Sequence, residues 1–296
     1  VEDRYLRPTA LLDFGSPRLR ELLARHNWEA LPEQERIGAV YDFVREEIPF
    51  GYNSSDDLPA STVLADGYGQ CNTKTTLLMA LLRGSGIGCR SHGATIDKKL
   101  QHGVMVRPLY WFAPASILHT WAEVFVGGRW VGLEGVILDG PYLSGVRAHA
   151  GCSGPFLGYG VGTDNLADPP VEWHGTDTLI QATGVSQDFG VYDDPDSFYR
   201  AHGVNARGIK GWLYSQVMRY QACARSTGPT RSATLLLACR YSSTSRASRA
   251  RTSARACAIR ARACDGQRAG PPGSCRDRHT VRLESWLPTT DLRPRR

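Results

Sequence analysis

The stretch from Cys71 to Arg83 reads Cys-Asn-Thr-Lys-Thr-Thr-Leu-Leu-Met-Ala-Leu-Leu-Arg, and Leu77, Leu78, Leu81 and Leu82 spread over a broad face of any helix it forms. A helix this apolar is stable only when buried, so the chain around it must supply covering layers. Gly84 and Gly86 end it. Gly67 and Gly69 precede Cys71, and they allow a tight turn into the helix and a close approach to the backbone. Strand signals follow. Residues 87–97 read as one strand, 120–126 as a second and 129–136 as a third, with Gly127-Gly128 as a two-residue hairpin turn between the last two. Helices first and strands after predict an α+β fold in which the cysteine helix packs on an antiparallel sheet.

The flanks are read more coarsely. Pro17 opens a helix over 17–25 with Leu19, Leu22 and Leu23 at helical spacing. Pro32 opens another, in which Ile37, Val40, Tyr41 and Val44 repeat, and it should stop near Ile48. Ser61 is the expected N-cap of a short helix that Gly67 stops. Residues 98–118 are expected to be a connection, 193–196 a solvated acidic turn, and 198–220 one or two closing helices. The alternating glycines of 151–162 lack the strand before and helix after that a phosphate loop requires.

Charge divides the 296 residues in two. Residues 1–221 carry 19 basic and 25 acidic groups, whereas 222–296 carry 16 arginines, no lysine and 4 acids, so the net charge of +6 resides in the tail. More than half of that tail is Arg, Ala, Ser or Thr, with little apolar surface and no helical or strand period. Such a segment cannot offset its conformational entropy by burial, and disorder is expected. Its composition is what a shifted reading frame of GC-rich DNA would produce; the rival reading is an arginine-rich arm for nucleic acid, the one route by which nucleic acid would bind. The folded domain is expected over 1–221. No apolar run is long enough to span a membrane, and the first residues lack a secretory signal, so a cytoplasmic location is expected. The eight cysteines include no Cys-x-x-Cys pair, which argues against a metal site or a disulfide framework; no cofactor is expected.

Chemistry centres on Cys71. Free N–H groups at a helix start favour a thiolate and can stabilise an oxyanion. A thiolate nucleophile needs a base and an orienting group. With a two-residue turn, Val126 pairs with Arg129, Glu134 falls opposite Trp121, and His119 is its diagonal neighbour on the same face. One imidazole nitrogen is then expected on Glu134 and the other on Cys71. His92, on the strand after the helix, is a candidate for lining the cleft, and Tyr68 and Trp121 for walling a substrate groove. The remaining histidines show no metal-ligand spacing.

Gly69-x-Cys71, followed by Leu77, Ala80-Leu-Leu-Arg83 and Gly86-Ile-x-x-Arg90, resembles the core of the transglutaminase-like superfamily. So does His119-Thr-Trp121-Ala-Glu123-Val124, followed by Arg129-Trp130-Val131-x-Leu133-Glu134. The likeness spans roughly residues 58–139. It implies a papain-like α+β core in which Cys71 is the nucleophile, His119 its general base and Glu134 the carboxylate that orients the base. The family usually has Asp at the position of Glu134, Ala at Thr75 and Pro at Gly88; Asp139 is the other candidate orienter. The implied reaction is acyl transfer at peptide or protein amides through a thioester, captured by an amine (transamidation) or by water (proteolysis or deamidation). A peptide-binding module that keeps the fold without the reaction is the alternative.

Overall fold

The computed structural model describes residues 2–104, 110–111, 114–151 and 153–205. The tail at 222–296 and the expected closing helix beyond residue 205 lie outside the described residues. The architecture is α+β, with helices packed against a four-stranded antiparallel sheet.

Helix α1 (Pro17–His26) begins on its proline, as expected, and ends where Asn27 takes a left-handed conformation, with its N–H bonded to Leu23 O at 2.9 Å. Helix α2 (Glu33–Asp42) passes into a π-turn over Phe43–Glu47 and stops ahead of Pro49. Helix α3 (Ala60–Asp66) differs from expectation at its start. Pro59, not Ser61, is the N-cap, and the free Ser61 N–H is taken by Asp13 Oδ1 at 2.9 Å. A carboxylate from a distant segment therefore does the work assigned to a local hydroxyl.

Helix α4 (Cys71–Gly84) is the centre of the molecule; every residue from Cys71 to Arg83 is buried. Its leucines meet Ile37, Val40, Tyr41 and Val44 from α2 and the following turn on one side, and Ala122, Val124 and Val131 from the sheet on the other. The helix closes with Ile87 N–H on Leu82 O at 2.8 Å, a return that Gly86 permits at φ +83°.

The sheet runs β3-β2-β1-β6, all antiparallel, with β1 at Cys89–Asp97, β2 at Ser116–Val126, β3 at Arg129–Gly132 and β6 at Val185–Tyr192. Three features depart from the sequence reading. Strand β2 starts at Ser116, inside the expected connection, so His119 lies within a strand and not at its end. The return strand ends at Gly132, and Glu134–Ile137 form a 3-10 turn. Strand β6 was not anticipated; only Val185, Phe189 and Val191 supply apolar side chains of any size before Tyr192, too sparse for a strand signal. It is seated through β1, where Phe198 lies so close to Gly93 that a Cβ there would sit 2.3 Å from the ring.

The glycine-rich segment forms a small hairpin, β4 (Phe156–Gly158) with β5 (Val161–Thr163). Helix α5 (Gly140–Ala150) precedes it, and α6 (Pro195–His202) follows β6. The acidic turn before α6 is structural and not merely solvated: Asp194 caps the helix through Ser197 N–H, and Asp196 accepts from Thr9 and from Leu11 N–H. No helix among the described residues is long and apolar enough to cross a membrane.

Lys74 is wholly buried within α4, its ammonium nitrogen 3.1 Å from Arg45 O. Burial drives its pKa down to about 7, with Asp139 and Glu46 opposing. An unfolded lysine holds its proton up to about pH 10.4. Between those limits the unfolded chain binds more protons, so stability owed to this group grows as pH rises above about 7 and is lost as pH falls towards it. Urea titrations of wild type and Lys74→Met should show their difference moving in favour of the methionine variant by up to ~1 kcal/mol per pH unit as pH is lowered from about 9 to about 7, levelling off below.

Candidate active site

Two short stretches of backbone deliver Cys71. Gly67 ends α3 in the left-handed region at φ +72°, and its N–H returns to Val63 O at 3.0 Å. Gly69 forms a parallel bridge with Phe50, and a Cβ on it would fall 2.9 Å from both Lys74 Cγ and Thr73 Oγ1. Gly67 is thus favoured by its backbone conformation and Gly69 by the close approach of its neighbours. Gln70 then precedes the helix: its N–H donates to Thr73 Oγ1 at 3.0 Å, and its side chain receives Asn53 N–H at 2.8 Å and donates to Asp56 Oδ1 at 3.1 Å.

Cys71 is the first residue of α4 and 9 % exposed. Its thiol donates to Asn72 Oδ1 at 3.6 Å. Burial pushes the thiol far above the ordinary range, Asp56 and Glu134 push the same way, and the N–H groups of the helix start pull back without prevailing. Desolvation thus works against the thiolate that a helix start favours.

His119 is fully buried on β2, and its Nε2 lies 2.8 Å from Glu134 Oε1. The expected register holds along the hairpin, from Val126 opposite Arg129 to Glu123 opposite Gly132. Beyond it the chain leaves the ladder, yet Glu134 still reaches the imidazole. The carboxyl is fixed from behind: Oε2 accepts the N–H groups of Ile180 at 3.0 Å and Gln181 at 3.1 Å. Leu133 bridges Thr178, which aligns that backbone. Nothing in the local sequence of 178–181 advertises this role. His119 Nδ1 is buried with no hydrogen-bond partner. The structure thus brings His119 and Glu134 together but leaves the thiol on Asn72 and not on the imidazole.

Asn72 is the residue that sequence reasoning missed. Its Nδ2 donates to Leu118 O at 3.1 Å and its Oδ1 accepts from Thr120 Oγ1 at 3.1 Å, one contact on either side of His119. Thr75 adds a bond to Thr120 O at 3.0 Å. The signal was present as a run of polar residues, Asn72 to Thr76, in a helix otherwise built for burial.

Asp139 is elsewhere occupied. It caps α5 through Tyr142 N–H at 2.8 Å and accepts Phe50 N–H at 3.0 Å. His92 stacks on Trp121 at 4.1 Å, and Trp121 in turn lies 5.6 Å from the His119 ring. The His92 nitrogens are both engaged, by Glu123 and Asp188 at 2.7 Å each; burial opposes its charge, but these hydrogen bonds outweigh it and raise the pKa. His92 therefore bears on the site only through Trp121. The Tyr68 ring packs over Gly51 beside the glycine turn. Among the described residues, no three His, Cys, Asp or Glu side chains gather as metal ligands would.

Residues 21–134 match the model of the transglutaminase-like superfamily, a span that holds Cys71, His119 and Glu134. A search of curated proteins found no match. Among solved structures, a protein from Cytophaga hutchinsonii described as a "Putative Cysteine Protease" aligns at 14 % identity and a TM-score of 0.37, over 66 % of this chain and 47 % of that one. The chain thus spans about half the length of that structure.

The Asn72 contacts predict a measurable dependence. Asn72→Ala removes the side-chain bonds to Cys71, Leu118 O and the Thr120 hydroxyl, and leaves that hydroxyl short of an acceptor. It should lower unfolding free energy by about 2 kcal/mol in a urea titration, whereas Asp139→Asn, which hydrogen-bonds neither His119 nor Asn72, should leave the bonds between α4 and β2 in place.

Proposed function

We propose that this transglutaminase-like chain is a cysteine enzyme acting on amide bonds of peptides or proteins, with Cys71 as nucleophile, His119 as general base and acid, and Glu134 as the group that holds the imidazole. The observation that carries this reading is the buried His119–Glu134 pair at 2.8 Å, whose second ring nitrogen is unsatisfied, next to the helix start that bears the thiol. Buried polar atoms seldom go unpaired in a folded protein, and those that do are concentrated where chemistry supplies the missing partner.

The thiol must first leave Asn72 Oδ1 and give its proton to His119 Nδ1. The sulfur lone pair then attacks the amide carbonyl carbon, and the carbon–oxygen double bond opens to an oxyanion facing the helix N–H groups. The oxyanion collapses, the carbon–nitrogen bond breaks, and the departing amine takes the proton from His119. The thioester left on Cys71 is opened by water or by a primary amine, whose proton passes through His119 back to sulfur. Glu134, anchored by two backbone N–H groups, keeps the ring aligned and balances its charge while it is protonated.

A second reading has one observation in its favour: the resting thiol is bonded to Asn72 and held in its protonated form by burial. That arrangement suits a peptide-binding module without turnover.

Incubation with a glutamine-containing peptide, with and without a primary amine, separates the two. The enzyme reading expects ammonia, hydrolysed peptide or an amine adduct; all are lost in Cys71→Ala, reduced on the order of 10²–10⁴-fold in His119→Ala, and reduced by at least about tenfold in Glu134→Gln. Equal peptide binding by wild type and Cys71→Ala, with no product from either, would establish the module.

A further inference from the structure

The helix start that carries Cys71 and the strand that carries His119 are joined at one more place, by a residue distant from both. Asn205 lies just after α6. Its backbone N–H donates to Asp56 Oδ2 at 2.9 Å, and Asp56 Oδ1 holds Gln70, the residue before Cys71. Its side-chain amide takes both polar groups of Leu118, the residue before His119: Leu118 N–H donates to Oδ1 at 2.7 Å, and Nδ2 donates to Leu118 O at 2.9 Å. Leu118 lies beyond the reach of β3, which pairs only with 123–126, so among the described residues this stretch of β2 has no strand on that side. One exposed asparagine thus spans the gap between the two sequence neighbours of the candidate catalytic residues.

Helix α6 carries a buried aromatic ring, Tyr199, packed with Leu11 and Phe198. Tyr199 is 5 % exposed, and its hydroxyl is buried with no hydrogen-bond partner. Burial, then Asp56 and then Cys71, raise the hydroxyl well above its ordinary range, and the side chain of Thr120, the residue after His119, opposes the shift. Cys71 itself is only 9 % exposed.

We propose that the segment from Pro195 to Asn205 is an autoinhibitory strap, latched across the Cys71 site by the bonds of Asn205 to Leu118 and Asp56, and that an extended peptide substrate gains the site by replacing those bonds. The inference rests on the enzyme reading for the word autoinhibitory, but the closure itself does not. The latch is suited to release because Asn205 is exposed and its two bonds to Leu118 are open to competition from water, whereas the bonds of Asn72 and Thr75 to Thr120 are buried. Bonding a backbone N–H and C=O with one amide is what a strand residue of a bound peptide would also do.

The test is the rate at which iodoacetamide alkylates Cys71 in the full chain, followed by peptide mass spectrometry, with wholly buried Cys89 as internal control. Asn205→Ala should raise the Cys71 rate about tenfold with Cys89 still protected. Asn205→Asp, which sets a carboxylate against Leu118 O, should do the same. An unchanged Cys71 rate in both variants overturns the strap, and so does a parallel rise at Cys89, which reports general loosening. Turnover of a glutamine peptide on the same samples keeps the two ideas separate. Faster alkylation without turnover upholds the strap and sinks the enzyme, while turnover that needs Cys71 but ignores Asn205 does the reverse.

Discussion

A helix start that is buried on every side cannot hand its polar groups to water, and this constraint organises the whole molecule. Asn72, Thr73, Lys74, Thr75 and Thr76 follow one another in α4 with almost no exposure, so each must find a partner in the protein. Thr73 turns back on Gln70 and Asn53, Lys74 reaches Arg45, and Asn72 and Thr75 reach β2 at Leu118 and Thr120. These bonds fix the height of the strand along the helix to within one residue. A slip by one position would turn His119 towards the opposite face and separate it from Glu134.

The same burial sets the state of the sulfur. A helix terminus favours a thiolate only where the charge retains some solvation, and here two carboxylates and a closed surround oppose it. The imidazole is treated differently. It is buried as deeply, but Glu134 is fastened to the backbone of 180–181 and so offers a fixed oxygen to Nε2 at no further cost in side-chain order. The arrangement is thus asymmetric, with the imidazole already oriented by Glu134 and the thiol bonded to Asn72 instead of to the ring.

Much of this was legible in the chain. The leucines of α4 announced a buried helix, and the glycine pair at 127–128 set a register that the hairpin keeps, so His119 and Glu134 could be paired before any coordinates. What escaped was long-range and made of backbone or of polar side chains. Asp13 replaces Ser61 as the cap of α3 from 48 residues away. The anchor of Glu134 is main-chain N–H, which carries no residue signature. Strand β6 is an edge whose side chains are mostly half-exposed, and its place is fixed by Gly93 and the Phe198 ring rather than by alternation of its own. Asn72 was visible as a polar residue out of place, but a single sequence does not say which strand answers it.

Arg83 closes the other end of α4. Its guanidinium is 3 % exposed and donates to Arg7 O at 2.7 Å, Cys89 O at 2.9 Å and Asp193 O. A single cation at the negative end of the helix is therefore a knot for three strings: the leading arm of the chain, the entry to the sheet and the approach to α6. Loosening any one leaves a buried charge short of an acceptor, and the slack would be felt by the other two. Disturbance of the first ten residues would on this wiring travel to the start of the sheet and to the approach to α6.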